Sequence, residues 1–225
     1  MKKIAVYFGP KNVSGSGVAN ALLSAKIPFA MVTAEEIAAG GLKPYAAVIF
    51  PGGHSIRLSP RGVRRTVEFV EKGGGFIGIC AGCQFAASIA LVPVTHKIFR
   101  AAGIFDMRVV RKHPVTRGYR TSRRLGSGRP WAYCATGRVR IRYCNGGMLE
   151  PGKGVSMLVS FDEEDRLGAV VTGRRGKGRV VLISPHPEST PSRGGPDPLA
   201  DYADKSRDPS ELFENAVRYV MCETA

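Results

Sequence analysis

Acidic residues are nearly missing from the middle of this 225-residue chain: between positions 72 and 149 the only one is Asp106. The same stretch is rich in arginine, from Arg100 to Arg142, and most acids fall in "FDEED" and from Asp197 onward. The formal charge is +15. A basic face of this kind attracts phosphates, nucleic acid or an acidic partner. It is also what an ordinary solvated surface looks like. Of the specific partners, an anionic small ligand or an acidic protein ranks ahead of nucleic acid.

Long apolar runs are lacking as well. No stretch approaches the roughly 20 residues that cross a bilayer as a helix, so no membrane association is expected. The opening "MKKIAVYFGPK" has two lysines ahead of apolar residues. Residues 4–8 are nevertheless too short for the apolar region of a signal peptide, and no small-residue cleavage site follows. They read as a buried first strand, and the expected location is the cytoplasm.

Nor is there a disulfide framework, because the five cysteines are odd in number and irregularly spaced. No metal is expected: a structural zinc needs four ligands, and Cys134 and Cys144 are too far apart to form a second close pair. "DEED" lacks the spaced ligands of a calcium loop. "GSGVAN" has G-x-G at a helix start without a third glycine or a ribose-binding acid, and no Walker lysine follows. No cofactor is therefore expected, although a helix start of this kind suits an anion.

What is present is an alternation of apolar strands and helices. "KIAVYFG", "PFAMVT", "YAAVIFPGG" and "GFIGIC" read as strands. Between them "SGSGVANALLSAKI" and "SPRGVRRTVEFVEKGG" read as helices, the latter through Val63, Val67 and Val70. This is the pattern of a mostly parallel sheet covered on both faces, an α/β three-layer sandwich. Residues 92–150 read as an arginine-rich insertion or sheet extension, with strands at "FDMRVV" and "RVRIRYC". "VSMLVSF", "LGAVVTG" and "GRVVLISP" read as further strands, partly antiparallel. Residues 189–207 form a proline- and glycine-rich loop, a candidate lid. Residues 208–222 form a final helix, with Asp208 as cap and Pro209 at its first position. No domain boundary is evident, so residues 1–225 read as one domain.

The chemistry centres on "GFIGICAGCQFAAS". Its Cys80 and Cys83 allow a redox pair, half a metal site, or one nucleophile with an incidental neighbour. The flanking glycines favour the third. Gly78-Ile79-Cys80-Ala81-Gly82 has the G-x-nucleophile-x-G form of a strand-to-helix elbow. Cys80 would then stand at the positive end of a helix, with the Ala81 N–H turned toward a developing oxyanion. His186 in "VVLISPHPES" is the best of four histidines as the base, and Glu188 is placed to orient it. In "FPGGHS", Gly52 and Gly53 would expose backbone N–H groups at the carboxyl edge of the sheet beside His54.

Together, "GICAGCQ", "PHPE" and "PGG" resemble the nucleophile motif, the end of the catalytic triad and the oxyanion loop of class I glutamine amidotransferases. The resemblance covers residues 1 to about 190. It implies a flavodoxin-like fold, a Cys80–His186–Glu188 triad, an oxyanion hole of Gly53 and Ala81, and Gln84 as a contact for a glutamine-type amide. Gly52, His54 and Asn145 would join Gln84 around the substrate. Within that superfamily, "VIFPGGHS", "VEKGGGFIGICAG" and "RYCNGGMLEPG" are most similar to the domain at the N-terminus of some biotin–protein ligases, including its stand-alone relatives. Glutamine amidotransferases pass ammonia to a synthetase. Nothing in this chain resembles one, so the resemblance implies a separate synthetase partner. The alternative is a non-catalytic module of the same fold that engages an acidic partner or anionic ligand through its basic face.

Overall fold

A computed structural model describes residues 3–9, 15–121, 137–161, 166–189 and 208–222. The first half alternates as its sequence does: β1 (Lys3–Tyr7), α1 (Gly15–Ser24), β2 (Phe29–Val32), α2 (Ala34–Ala38), β3 (Tyr45–Phe50), α3 (Pro60–Glu71), β4 (Gly75–Ile79) and α4 (Ala81–Ser88). The arginine-rich region supplies β5 (Val94–Lys97), β6 (Ala102–Val109), β7 (Arg138–Cys144) and β8 (Met148–Pro151). Then follow β9 (Ser156–Ser160), β10 (Gly168–Arg175), β11 (Gly178–Ile183) and α5 (Ser210–Val220).

The sheet runs β2-β1-β3-β4-β11-β10-β9-β6-β7. From β2 to β11 neighbouring strands are parallel. Beyond β11 the pairing is antiparallel throughout. β5 and β8 form an antiparallel pair beside this path, joined to it through β10.

Strands covered on both faces need apolar side chains at every position, and β4 is buried along its whole length. On one face Val18 and Leu22 of α1 pack with Leu212, Phe213 and Val217 of α5. On the other, Ile37 of α2, Val70 of α3 and Phe85 of α4 close the second core. Each fully buried side chain of this size contributes about 1.5–3 kcal/mol, so both helical layers are anchored. The fold is thus the expected α/β sandwich, with a mostly parallel core sheet.

In β7 the residues alternate. Val139, Ile141 and Tyr143 are buried, while Arg138, Arg140 and Arg142 occupy the other face, as the period of two requires. Here the arginine-rich sequence is a strand with one apolar face.

The helix starts follow local chemistry. Ser59 Oγ accepts the Gly62 N–H at 3.2 Å ahead of α3, and Asp208 Oδ1 accepts the Ser210 N–H at 2.9 Å ahead of α5. No described helix is long and apolar enough to cross a membrane. The candidate lid after Ser189, the "DEED" run and Cys134 lie outside the described residues.

Candidate active site

Three neighbouring strands end on one edge of the sheet. β3 leads into Pro51-Gly52-Gly53, β4 into Cys80, and β11 into the segment carrying His186 and Glu188. Adjacent strands lie about 4.8 Å apart, so the outer two of these three are separated by about 10 Å. That spacing suits a small substrate, at the edge where α/β sheets bind their ligands.

Cys80 takes φ 51° and ψ −106°, a sparsely populated backbone region that costs a non-glycine residue about 1–3 kcal/mol. The turn is held by the Cys80 N–H donating to Ile183 O and the Cys83 N–H donating to Cys80 O, both at 2.9 Å. The flanking glycines permit the close approach. A Cβ on Gly78 would stand 2.6 Å from Gly82 O, and one on Gly82 would strike Phe50 O. Strand, helix and the end of β3 therefore meet at a distance that no side chain allows.

Cys80 is buried to 8 % exposure, and its Sγ lies 3.5 Å from the Cys144 carbonyl oxygen. Cys83 is different. Its thiol donates to Gly78 O at 3.2 Å, and burial, aided by the charge of Cys80, pushes its pKa well above the usual value. It is a packing residue on the first turn of α4, and both cysteines are free thiols.

His186 is fixed from two sides. Its backbone N–H donates to Arg142 O at 2.7 Å, and its Nδ1 lies 2.8 Å from Glu188 Oε1. Burial works against a charged imidazole. Hydrogen bonding with Cys80 and Glu188, and their charges, outweigh it and raise the pKa to about 10. With Nδ1 committed to Glu188, Nε2 remains for Cys80. The second carboxylate oxygen of Glu188, Oε2, is buried with no partner among the described residues. Gly17 of α1 packs on this turn: a Cβ there would stand 3.7 Å from Glu188 Cγ.

A cleft of about 730 Å³ opens over these groups. Gly53, His54, Ala81, Gln84 and Asn145 line it together with Cys80 and His186. Gly52 does not, and it is buried. Asn145 has φ 54°, and its N–H donates to Ala101 O at 2.9 Å. Its loop is no hairpin turn, because it carries the chain from β7, paired with β6, to β8, paired with β5.

Sequence reasoning missed His96 as a cleft residue and left Arg100 and Arg142 unplaced within the basic segment; all three line the cleft. His96 Nε2 is 3.0 Å from Gly146 O. It belongs to β5, whose pairing with β8 spans about fifty residues and leaves no local apolar pattern to read. Among the described residues no group of three or more His, Cys, Asp or Glu is arranged to hold a metal ion.

Residues 18–99 match the family described as "Biotin-protein ligase, N terminal". No curated protein matches the chain. Among solved structures, PurLQS from Thermotoga maritima superposes with TM-score 0.66 at 18 % identity, over 97 % of this chain and 99 % of that one. A putative GMP synthase subunit, from Thermoplasma acidophilum, gives TM-score 0.64 at 10 % identity, over 99 % and 95 %. A glutamine amidotransferase from Thermotoga maritima gives 0.61 at 14 %, over 98 % of both chains. At such identities the likeness is one of fold. The chain has the class I glutamine amidotransferase-like fold, and residues 18–99 of it carry the pattern of the N-terminal domain of biotin–protein ligases.

Proposed function

We propose that the protein is a cysteine-dependent, amidotransferase-like hydrolase acting on a carboxamide. The observation that carries this reading is the buried 2.8 Å contact between His186 Nδ1 and Glu188 Oε1, in a cleft shared with Cys80. Cys80 attacks the amide carbonyl carbon as a thiolate, and its proton resides on His186. The N–H groups of Gly53 and Ala81 receive the oxyanion, the latter being one of the unpaired donors of the first helical turn. His186 protonates the leaving nitrogen, which departs as ammonia and leaves a thioester on Cys80. Water, deprotonated by His186, then releases the acid and restores the thiolate. Glu188 holds the imidazole in the working tautomer throughout. Gln84, His54 and Asn145 border the substrate.

The likeness to a GMP synthase subunit supports a further part of the reading: the ammonia goes to a synthetase supplied by a separate chain. Residues 1–225 act as one domain. The test is ammonia release from glutamine and a panel of other primary amides, by the wild type and by Cys80→Ala. Release by the wild type alone is the expected result, and an unchanged rate in the variant overturns the reading.

A second reading, a binding module for an acidic partner, is favoured by a different cleft of about 670 Å³. Lys112, Arg117, Arg179 and Arg218 line it with Tyr219, and no acid does so among the described residues. Burial, together with the charges of Arg111 and Arg179, holds the pKa of His113 there below its ordinary value. Under that reading Cys80 reacts with electrophiles no faster than the exposed Cys222.

A further inference from the structure

Two cysteines that are free thiols line the same cleft from segments 64 residues apart: Cys80 at the elbow and Cys144 at the end of β7. They meet through the backbone. β7 ends the sheet path, and two of its carbonyls reach the catalytic centre. Arg142 O accepts the His186 N–H at 2.7 Å, and Cys144 O lies 3.5 Å from Cys80 Sγ. A carbonyl oxygen stands about 2.4 Å from its own Cα, so Cys144 Cα is within about 6 Å of the Cys80 sulfur whichever rotamer its side chain takes. The two residues differ in setting. Cys80 is nearly closed to water, whereas Cys144 is exposed. Cys83, the neighbour in sequence, is engaged elsewhere: its thiol is wholly buried and donates to Gly78 O at 3.2 Å. Burial also keeps that thiol protonated, and only a thiolate attacks in thiol–disulfide chemistry.

We propose that Cys144 is a resolving cysteine for Cys80: hydrogen peroxide converts the pair to a Cys80–Cys144 disulfide that shuts the site reversibly. The inference rests on the reading of Cys80 as an activated thiolate and adds a means of regulating that same site. The Cys80 thiolate attacks one oxygen of the peroxide, and the O–O bond breaks. One oxygen stays on sulfur as a sulfenic acid, and the other leaves as hydroxide, which takes the proton from His186 and becomes water. The Cys144 sulfur then attacks the Cys80 sulfur. The S–O bond breaks, and the departing hydroxide leaves as water with the proton of the Cys144 thiol. The two sulfurs are oxidised by two electrons in all, and the peroxide is reduced to two waters. A disulfide joins Cα atoms about 4.4–6.8 Å apart, and the carbonyl contact brings the two segments into that neighbourhood. Once linked, Cys80 attacks no amide. The bond also blocks further oxidation to sulfinic acid, a step that thiols do not reverse, and a thiol reductant frees Cys80 again.

The test treats the folded full chain with hydrogen peroxide, blocks remaining thiols with N-ethylmaleimide, and maps the monomer from a non-reducing gel by peptide mass spectrometry. Wild type should yield a peptide pair joining Cys80 to Cys144. Dithiothreitol should then return Cys80 to alkylation by iodoacetamide. Cys144→Ser, which exchanges one atom of an exposed side chain, should form no such pair. Its Cys80 should pass on to sulfinic acid and lose the recovery in dithiothreitol. Cys83→Ala should still form the Cys80–Cys144 pair. If Cys80 is oxidised no faster than the exposed Cys222, the reading of Cys80 as an activated thiolate fails and the inference falls with it. If Cys80 is oxidised first but recovers equally in wild type and Cys144→Ser, the resolving role alone is overturned. A link from Cys80 to Cys83, Cys134 or Cys222 in place of Cys144 overturns it in the same way.

Discussion

Glu188 Oε1 and His186 Nδ1 stand 2.8 Å apart with both side chains nearly closed to water, although only two residues separate them in the chain. The short turn after β11 that carries both residues makes this contact local, so it forms wherever β11 and the turn form. Its chemistry predicts the outcome of Glu188→Gln. The amide keeps the shape and loses the charge, so the imidazolium formed on proton uptake is no longer stabilised. The expected loss in kcat is up to about 10⁴-fold, the scale seen when the acid of a catalytic triad is replaced by its amide, with KM little changed. Steady-state kinetics on the best amide of the panel check it.

The same contact has a signature in stability. In the folded protein the His186 pKa is raised from 6.5 to about 10, so the native state holds a proton that the unfolded chain releases earlier. The resulting stabilisation is complete below about pH 6.5 and is lost as pH rises through about 10. Urea unfolding of wild type and His186→Gln between these limits should show wild type losing its advantage as pH climbs. A difference that grows with pH would have the wrong sign.

Gly82→Ala tests the elbow. Its Cβ would strike Phe50 O, which is backbone and cannot rotate aside. The expected cost is about 1–3 kcal/mol, the range for overpacking, with a fall in Tm and displacement of Cys80 from the oxyanion donors. Ala86→Gly, on the same helix at a buried position, should destabilise without selectively impairing the reactivity of Cys80.

Cys83→Ala should be nearly silent in catalysis. The Cys83 thiol is buried, bonded to Gly78 O and held protonated by its surroundings. The variant is expected to keep the Cys80 alkylation rate and any amidase activity, with a stability cost of about 1 kcal/mol for the small cavity and lost contact. A collapse of activity without unfolding would restore the dithiol reading of "CAGC".

The legibility of this protein follows the range of its contacts. A parallel sheet brings each strand's carboxyl end to one edge, so three local motifs at strand ends, "PGG", "GICAG" and "PHPE", could be read separately and placed together. Gly78 and Gly82 were readable because the close approach they permit is itself local. The α2 helix was not anticipated, since five residues carry too little pattern; it rests on a capping box between Thr33 and Glu36. His96 and Arg142 were hidden for a different reason. Their placement depends on β5 pairing with β8 and β6 with β7, contacts that close long stretches of chain. An arginine on a strand's outer face looks the same in sequence whether it borders a cleft or open solvent. Gly52, expected at the substrate, is buried and does not line the cleft, whereas its neighbour Gly53, at φ 147°, does.

The most direct test of the account is the rate at which iodoacetamide modifies each cysteine of the folded protein, read by peptide mass spectrometry in wild type and His186→Gln. Cys80 is 8 % exposed, whereas Cys144 and Cys222 are exposed, so access alone ranks Cys80 behind both. The account predicts that Cys80 is nevertheless modified first in wild type and loses that lead in His186→Gln. A Cys80 slower than Cys222 in wild type, or equally fast with and without His186, would contradict it.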